Sequence, residues 1–230
     1  MSLDMFYFAN RVQCLEVQYG NRISSGACFL FHETDMPGGV RNIAYILTAY
    51  HVVKNYIKGN SDHMILHGPL SSHDIRPKVS FYEDNITGRD IALFIAKPDL
   101  FPRGFNDKRK VVFLINSNSV YGANLYYFGY PKVSRDRQKR ADIYKPLVRH
   151  GVGSAQFENE IWISGDSSQG FSGSPIIIKE EDDNIIPKNY FGVVGVLTSK
   201  TKMIDDNSVF AIGTSMKFII DGLNSANKNK

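Results

Sequence analysis

Cysteine is scarce in this chain of 230 residues, which contains only Cys14 and Cys28. Two thiols cannot form a disulfide framework or the four-thiolate set of a structural zinc site. Long apolar runs are also missing, because no segment approaches the roughly 18 residues that a membrane-spanning helix needs. The first 14 residues lack the basic start and apolar centre of a secretory signal. We therefore expect a cytoplasmic protein with no membrane partner.

A strong excess of charge of one sign is absent too. The formal net charge is +4, from 27 Lys and Arg against 23 Asp and Glu, so nothing in the charge points to a nucleic-acid partner. What the chain does contain is 43% hydrophobic and 12% aromatic residues, enough for a buried core. This composition excludes disorder and predicts a single domain over residues 1–230.

Short apolar runs separated by Gly, Pro, Asn and Asp dominate the pattern, which is typical of β-strands. The predicted strands are Ala27–Phe31, Ile43–Thr48, Ile91–Ala96, Val111–Ile115, Asn124–Phe128, Pro175–Ile178, Val193–Leu197 and Val209–Ile212. A C-terminal helix is predicted because four apolar residues share one helical face: Met216, Ile219, Ile220 and Leu223. A shorter helical turn is predicted after His51. Many short strands indicate an all-β barrel or sandwich.

Three strings contain residue types that suit nucleophilic catalysis: LTAYHVV at 47–53, RDIAL at 89–93 and GFSGSP at 170–175. They supply His51, Asp90 and Ser172, in that order. A serine hydroxyl is a weak nucleophile at neutral pH, so it needs a histidine to take its proton and a carboxylate to orient that histidine. The order excludes an α/β-hydrolase, in which the serine comes first, because the last histidine is His150.

Together the strings resemble the triad motifs of chymotrypsin-type serine proteases, especially the bacterial trypsin-like and HtrA-like branch. The segment Ser25-Gly26-Ala27 is similar to the glycine-rich first core strand of that family, and the resemblance continues through Phe210-Ala211-Ile212 near the end of the chain. The resemblance implies two six-stranded antiparallel β-barrels, about 1–115 and about 116–213. The C-terminal helix would then span about 214–224.

The same resemblance implies a serine endopeptidase that acts on a protein or peptide through an acyl-enzyme. His51 would be the general base, Asp90 its orienting carboxylate and Ser172 the nucleophile. The backbone N–H groups of Gly170 and Ser172 would form the oxyanion hole. No metal and no cofactor are expected.

A preference for Arg or Lys before the cut is implied by Asp166, six residues before the nucleophile, where trypsin has the carboxylate of its specificity pocket. Thr198, Ser199 and Lys200 resemble the pocket wall, although Lys200 stands where trypsin has glycine. A second interpretation remains open, in which Asp166 only caps a turn.

Phe171 precedes the nucleophile, where secreted relatives have an aspartate that pairs with a newly released N-terminus. We expect that the oxyanion loop either forms without such processing or is set by a regulatory protein partner. Phe171, together with the large Tyr50 beside His51, also keeps a second class of function open. In that alternative the chain is a protease-shaped peptide-binding module, latent or inactive without its partner.

Overall fold

The computed structural model describes residues 8–36, 43–68, 72–83, 89–97, 111–114, 120–131, 145–157, 159–165, 169–178, 191–203 and 209–228. Seven strands form the first sheet: β1 (Val12–Tyr19), β2 (Arg22–His32), β3 (Ala44–Ala49), β4 (Met64–His67), β5 (Ser72–Ile75), β6 (Lys78–Glu83) and β7 (Ile91–Ala96). Seven more form the second: β8 (Val111–Phe113), β9 (Asn124–Gly129), β10 (Leu147–Phe157), β11 (Glu160–Ser164), β12 (Pro175–Ile178), β13 (Phe191–Met203) and β14 (Val209–Ser215). Helix α1 (Tyr50–Ile57) follows β3, and helix α2 (Met216–Lys228) follows β14.

The second sheet closes into a barrel. Its strands run in the order β12-β9-β10-β11-β14-β13-β8, and an additional pairing joins β12 to β13. Six strands therefore form a continuous antiparallel ring, with β8 attached to β13 as a parallel strand. The first sheet is antiparallel throughout, in the order β5-β4-β1-β2-β3-β7-β6. The predicted all-β, two-barrel fold with a C-terminal helix is confirmed.

Some details differ from the sequence prediction. Strand β8 pairs with the second sheet, although its residues fall within the segment predicted for the first barrel. Helix α2 extends to Lys228, beyond the predicted end near residue 224. Six strands lie outside the predicted set: β1, β4, β5, β6, β10 and β11. In β1, Gln13 and Glu16 interrupt the apolar pattern and yet are buried, so the strand signal is weak in the sequence.

The core consists of three clusters of buried side chains. One fills the first sheet and one the second. The third lies between the sheets and includes Phe29 and Phe31 of β2, Phe128 of β9 and the buried face of α2. Burial of such aromatic side chains is a main stabilising contribution in a core of this kind. Within the described residues, no helix has the length and apolarity needed to span a membrane.

Candidate active site

His51 lies at the start of α1, immediately after the buried strand β3. Asp90 directly precedes β7, which pairs with β3 so that Ala49 lies opposite Ile91. This register brings the end of β3 and the start of β7 together. The Nδ1 atom of His51 lies 2.5 Å from Oδ2 of Asp90. The fold thus brings together two of the predicted site residues, which lie 39 positions apart in the sequence.

The Asp90 carboxylate is held at the N-terminus of α1. Its Oδ1 accepts the backbone N–H of His51 at 2.8 Å, and the Asp90 carbonyl accepts the N–H of Tyr50 at 3.0 Å. Both donors belong to the first turn of α1, where the backbone N–H groups have no acceptor within the helix itself. The Asp90 side chain is 3% exposed and that of His51 is 44% exposed. The carboxylate is therefore buried beneath an imidazole that remains open to solvent.

Ser172 lies in the loop between β11 and β12, and this loop rests on β2. The carbonyl of Ser172 accepts the N–H of Ala27 at 2.8 Å, while the carbonyl of Ala27 accepts Oγ1 of Thr48 at 2.8 Å. A Cβ at Gly26 would lie 2.6 Å from the Ser172 carbonyl oxygen and 2.7 Å from Cγ2 of Val52. The loop from the second barrel and the first turn of α1 thus both approach the backbone of Gly26 closely.

Two glycines shape this loop. Gly170 has a φ of +101°, and a Cβ there would lie 2.2 Å from the Tyr130 carbonyl oxygen. Gly173 has a φ of +88° in a tight turn, closed by the Ser174 N–H donating to Phe171. L-residues with a side chain rarely adopt such φ values. Among the described residues, the N–H groups of Gly170 and Ser172 have no backbone acceptor.

Phe171 and Tyr50, the two residues that kept the binding-module alternative open, lie in the core. Phe171 is fully buried and packs edge-to-face on Tyr127, with ring centroids 5.7 Å apart. It occupies space left by Gly129, where a Cβ would lie 2.4 Å from Cδ1 of Phe171. Tyr50 is 8% exposed and stacks on Tyr82. Because both rings are accommodated in the core, their size does not require either of them to block the space around the exposed His51 imidazole.

The structure describes only part of the predicted specificity pocket. Thr198 is buried in β13, with its Oγ1 3.5 Å from Oγ1 of Thr214. Ser199 and Lys200 belong to the backbone of the same strand, but their side chains lie outside the described part. Asp166 also lies outside the described residues, so its two interpretations stay as predictions.

Sequence reasoning missed several residues that position these groups. Thr48 belongs to the histidine string, yet its bond to Ala27 requires β2 and β3 to pair first. Ser174 lies in the serine string, and its Oγ accepts the N–H of Phe128 at 2.6 Å. Gly129 gives no local signal of its role, because the ring it accommodates comes from a distant loop.

Comparisons with known proteins agree with this architecture. No curated protein sequence matches the chain significantly. Among solved structures, a protease from M. tuberculosis in its active form is similar, with a TM-score of 0.62 and 15% identity over 96% of this chain and 83% of that one. A serine endoprotease from Yersinia pestis gives a TM-score of 0.63 and 15% identity over 97% of this chain, which spans only 65% of that protein. A Glu endopeptidase gives 0.59 and 17%, over 96% and 92%.

At these identities the solved structures show a common fold and nothing further. A match to the sequence profile of a family is more informative, because it compares the residue types of the chain position by position. The profile of the trypsin-like peptidase domain matches residues 26–184, which is more than half of the chain and includes His51, Asp90 and Ser172. The chain therefore belongs to the trypsin-like peptidase domain family, and with it to the serine hydrolases.

Proposed function

We propose that this chain is a serine endopeptidase with Ser172 as nucleophile, His51 as general base and Asp90 as the carboxylate that orients it. The observation that carries the proposal is the buried Asp90 carboxylate, which contacts both the ring and the backbone of His51. The anchoring of the Ser172 carbonyl on Ala27 supports it further. One barrel thus supplies the base and its carboxylate, and the other supplies the nucleophile.

In the proposed reaction, Ser172 Oγ attacks the carbonyl carbon of the substrate and its proton passes to Nε2 of His51. The N–H groups of Gly170 and Ser172 donate to the resulting oxyanion, which is worth about 2.7–4 kcal/mol per donor in related sites. The intermediate then expels the amine, which takes the proton from His51. Water then attacks the acyl-enzyme while His51 takes its proton. The carboxylic acid product leaves, and the hydroxyl of Ser172 regains its proton from His51.

The packing of Phe171 supports an oxyanion loop that forms without an ion pair to a new N-terminus. The ring is fully buried against Tyr127, in the space above Gly129. Burial of a phenylalanine side chain contributes about 1.5–3 kcal/mol. The desolvation cost of a buried ion pair can cancel its Coulombic gain, so the loop does not need such a pair for its stability. Under this proposal the site is active as folded, and a protein partner adjusts activity without creating it.

Covalent labelling tests the proposed nucleophile. A fluorophosphonate should add once to the wild-type chain, because Ser172 Oγ forms the new bond to phosphorus while fluoride leaves and His51 takes the proton. Ser172→Ala should gain no mass. Ser225→Ala removes an exposed serine on α2 and serves as the matched control, which should label like the wild type. Intact-mass spectrometry measures all three. An unlabelled but folded wild-type chain would support the latent binding module instead.

The proposed preference for Arg or Lys rests on Asp166 alone and needs its own test. If Asp166 lines the pocket, peptides with Arg or Lys before the cut should exceed the matching Gln peptide in kcat/KM by about 10- to 100-fold, as expected for a hydrogen bond to a charged group. Asp166→Asn should remove most of this difference, and Asp166→Lys should reverse it towards Glu. Unchanged preferences in both variants would assign Asp166 to a turn.

A further inference from the structure

Arg89, the residue before Asp90, is held by the second barrel. Its carbonyl oxygen accepts Oγ1 of Thr214 at 3.0 Å. Its guanidinium lies over the ring of Phe218 on α2, 4.3 Å from the ring centroid. A cation this close to an aromatic face is attracted by it. Nη1 of Arg89 also lies 3.3 Å from Oε2 of Glu83 on β6, so Arg89 is held by the first barrel as well as by the end of the chain.

Phe218 is itself fixed between the two barrels. Its ring centroid is 6.3 Å from that of Phe81 on β6, and α2 approaches β6 so closely that a Cβ at Gly222 would lie 2.6 Å from Cζ of Phe81. The opposite face of α2 enters the core between the sheets. The Phe218 ring therefore contacts Phe81 of the first barrel as well as the Arg89 guanidinium.

Asp90 needs such support because its backbone is strained. Its φ is +24°, the one positive φ at a non-glycine residue among those described. A residue in this region costs about 1–3 kcal/mol and persists only where its surroundings impose it. The Asp90 carbonyl is held by Tyr50 of the first barrel, and the preceding carbonyl by Thr214 of the second. The strained residue is therefore held on its N-terminal side by the second barrel and on its C-terminal side by the first.

We propose that Arg89, Phe218 and Thr214 form an inter-barrel clamp that positions Asp90 for catalysis, so that the placement of α2 controls the activity of the site. Phe218 and Thr214 are positioning residues, because they act on Asp90 through Arg89. The inference rests on the proposed function for its effect on turnover. Its effect on the geometry of Asp90 is independent of that function.

Substitution at Phe218 tests the clamp. Phe218→Leu removes the aromatic face but keeps an apolar side chain against Phe81. It should lower kcat and the fluorophosphonate labelling rate by roughly 3- to 30-fold, with KM unchanged, as expected for loss of a cation–aromatic contact. Phe218→Tyr keeps the face and should retain both rates. Lys217→Ala, at an exposed position on the same helix, is the matched control and should also retain them.

A double-mutant cycle with Arg89→Gln separates the clamp from a general loss of stability. If Phe218 acts through Arg89, Phe218→Leu should have little further effect on the labelling rate in the Arg89→Gln chain. Independent, multiplying effects of the two substitutions would overturn the proposal. Arg89→Gln alone keeps every side chain of α2, so it carries the test if Phe218→Leu does not fold. Because it also removes the ion pair between Arg89 and Glu83, Glu83→Gln is its control.

Amide hydrogen exchange provides a readout that does not need turnover. The N–H groups of Tyr50 and His51 donate to Asp90, so both should exchange faster in Phe218→Leu if Asp90 is released. Faster exchange in a protein whose wild type does not label would support the clamp and refute the proposed nucleophile. Unchanged exchange and unchanged kcat, in a wild type that labels, would refute the clamp alone.

Discussion

Replacing Asp90 with asparagine should lower kcat for peptide hydrolysis by about 10⁴-fold, with little change in KM, if Asp90 acts as the aspartate of a Ser-His-Asp triad. The asparagine carbonyl can still accept the backbone N–H of His51. Its amide group, however, can only donate towards Nδ1 of the ring. That contact favours the tautomer with its proton on Nε2, which cannot accept the proton of Ser172.

Steady-state kinetics with a fluorogenic peptide, normalised to folded protein, measure this loss. Asp74→Asn is the matched control, because Asp74 lies 4.0 Å from Nδ1 of His63 in the same barrel and is 59% exposed. An exposed pair of this kind contributes little to stability. The control should therefore keep wild-type kcat. A loss of less than tenfold in Asp90→Asn would mean that the carboxylate does not orient the catalytic base.

Substitution of Gly173 by alanine should have the second large effect. A Cβ at this position would lie 2.0 Å from the Ala27 carbonyl oxygen and 2.4 Å from Oγ1 of Thr48, and the φ is +88°. Since the first contact is with backbone, the loop must move away from β2. That movement displaces Ser172 together with its N–H, and loss of one oxyanion donor alone costs about 10²- to 10³-fold in kcat. We expect at least this loss of activity.

Gly122→Ala separates the steric effect at Gly173 from the effect of backbone strain. Gly122 has a φ of +74°, but a Cβ there would meet no atom within 4 Å. Gly122→Ala should lose about 1–3 kcal/mol of unfolding free energy because alanine disfavours positive φ. Gly173→Ala should lose more, because its steric clash adds to the same backbone strain. Only Gly173→Ala should also lose hydrolysis and labelling. Thermal unfolding and the labelling assay together measure the two effects, and a fully active Gly173→Ala would contradict the proposed loop geometry.

Both predictions concern contacts at the junction of the two barrels. Asp90 is attached to α1 in the first barrel and, through Arg89, to β14 and α2 in the second. The Ser172 loop crosses in the opposite direction, from the second barrel to β2 of the first. The active site we propose thus depends on the relative position of the barrels as much as on either barrel alone.

The sequence by itself predicted the strands that lie beside the proposed catalytic residues. The prediction of β7 and β12 agrees with the structure at both ends, because each is a short apolar run bounded by turn residues. The positions of His51 after β3 and Asp90 before β7 follow from the same local pattern. The apolar face of α2 was also predicted correctly, since all four residues assigned to it from the sequence are buried.

Only the tertiary structure decided how these elements meet. Strand β1 is buried although Glu16 interrupts its apolar pattern, because it lies between β2 and β4 in the sheet. Nε2 of His67 on β4 lies 3.2 Å from the buried Glu16 carboxylate. The contact between Thr214 and Arg89 joins residues 125 positions apart. Local propensity contains no information about such pairs, because they form only when distant strands are brought together. The strain at Asp90 is likewise imposed by both barrels, so no local pattern could have predicted it.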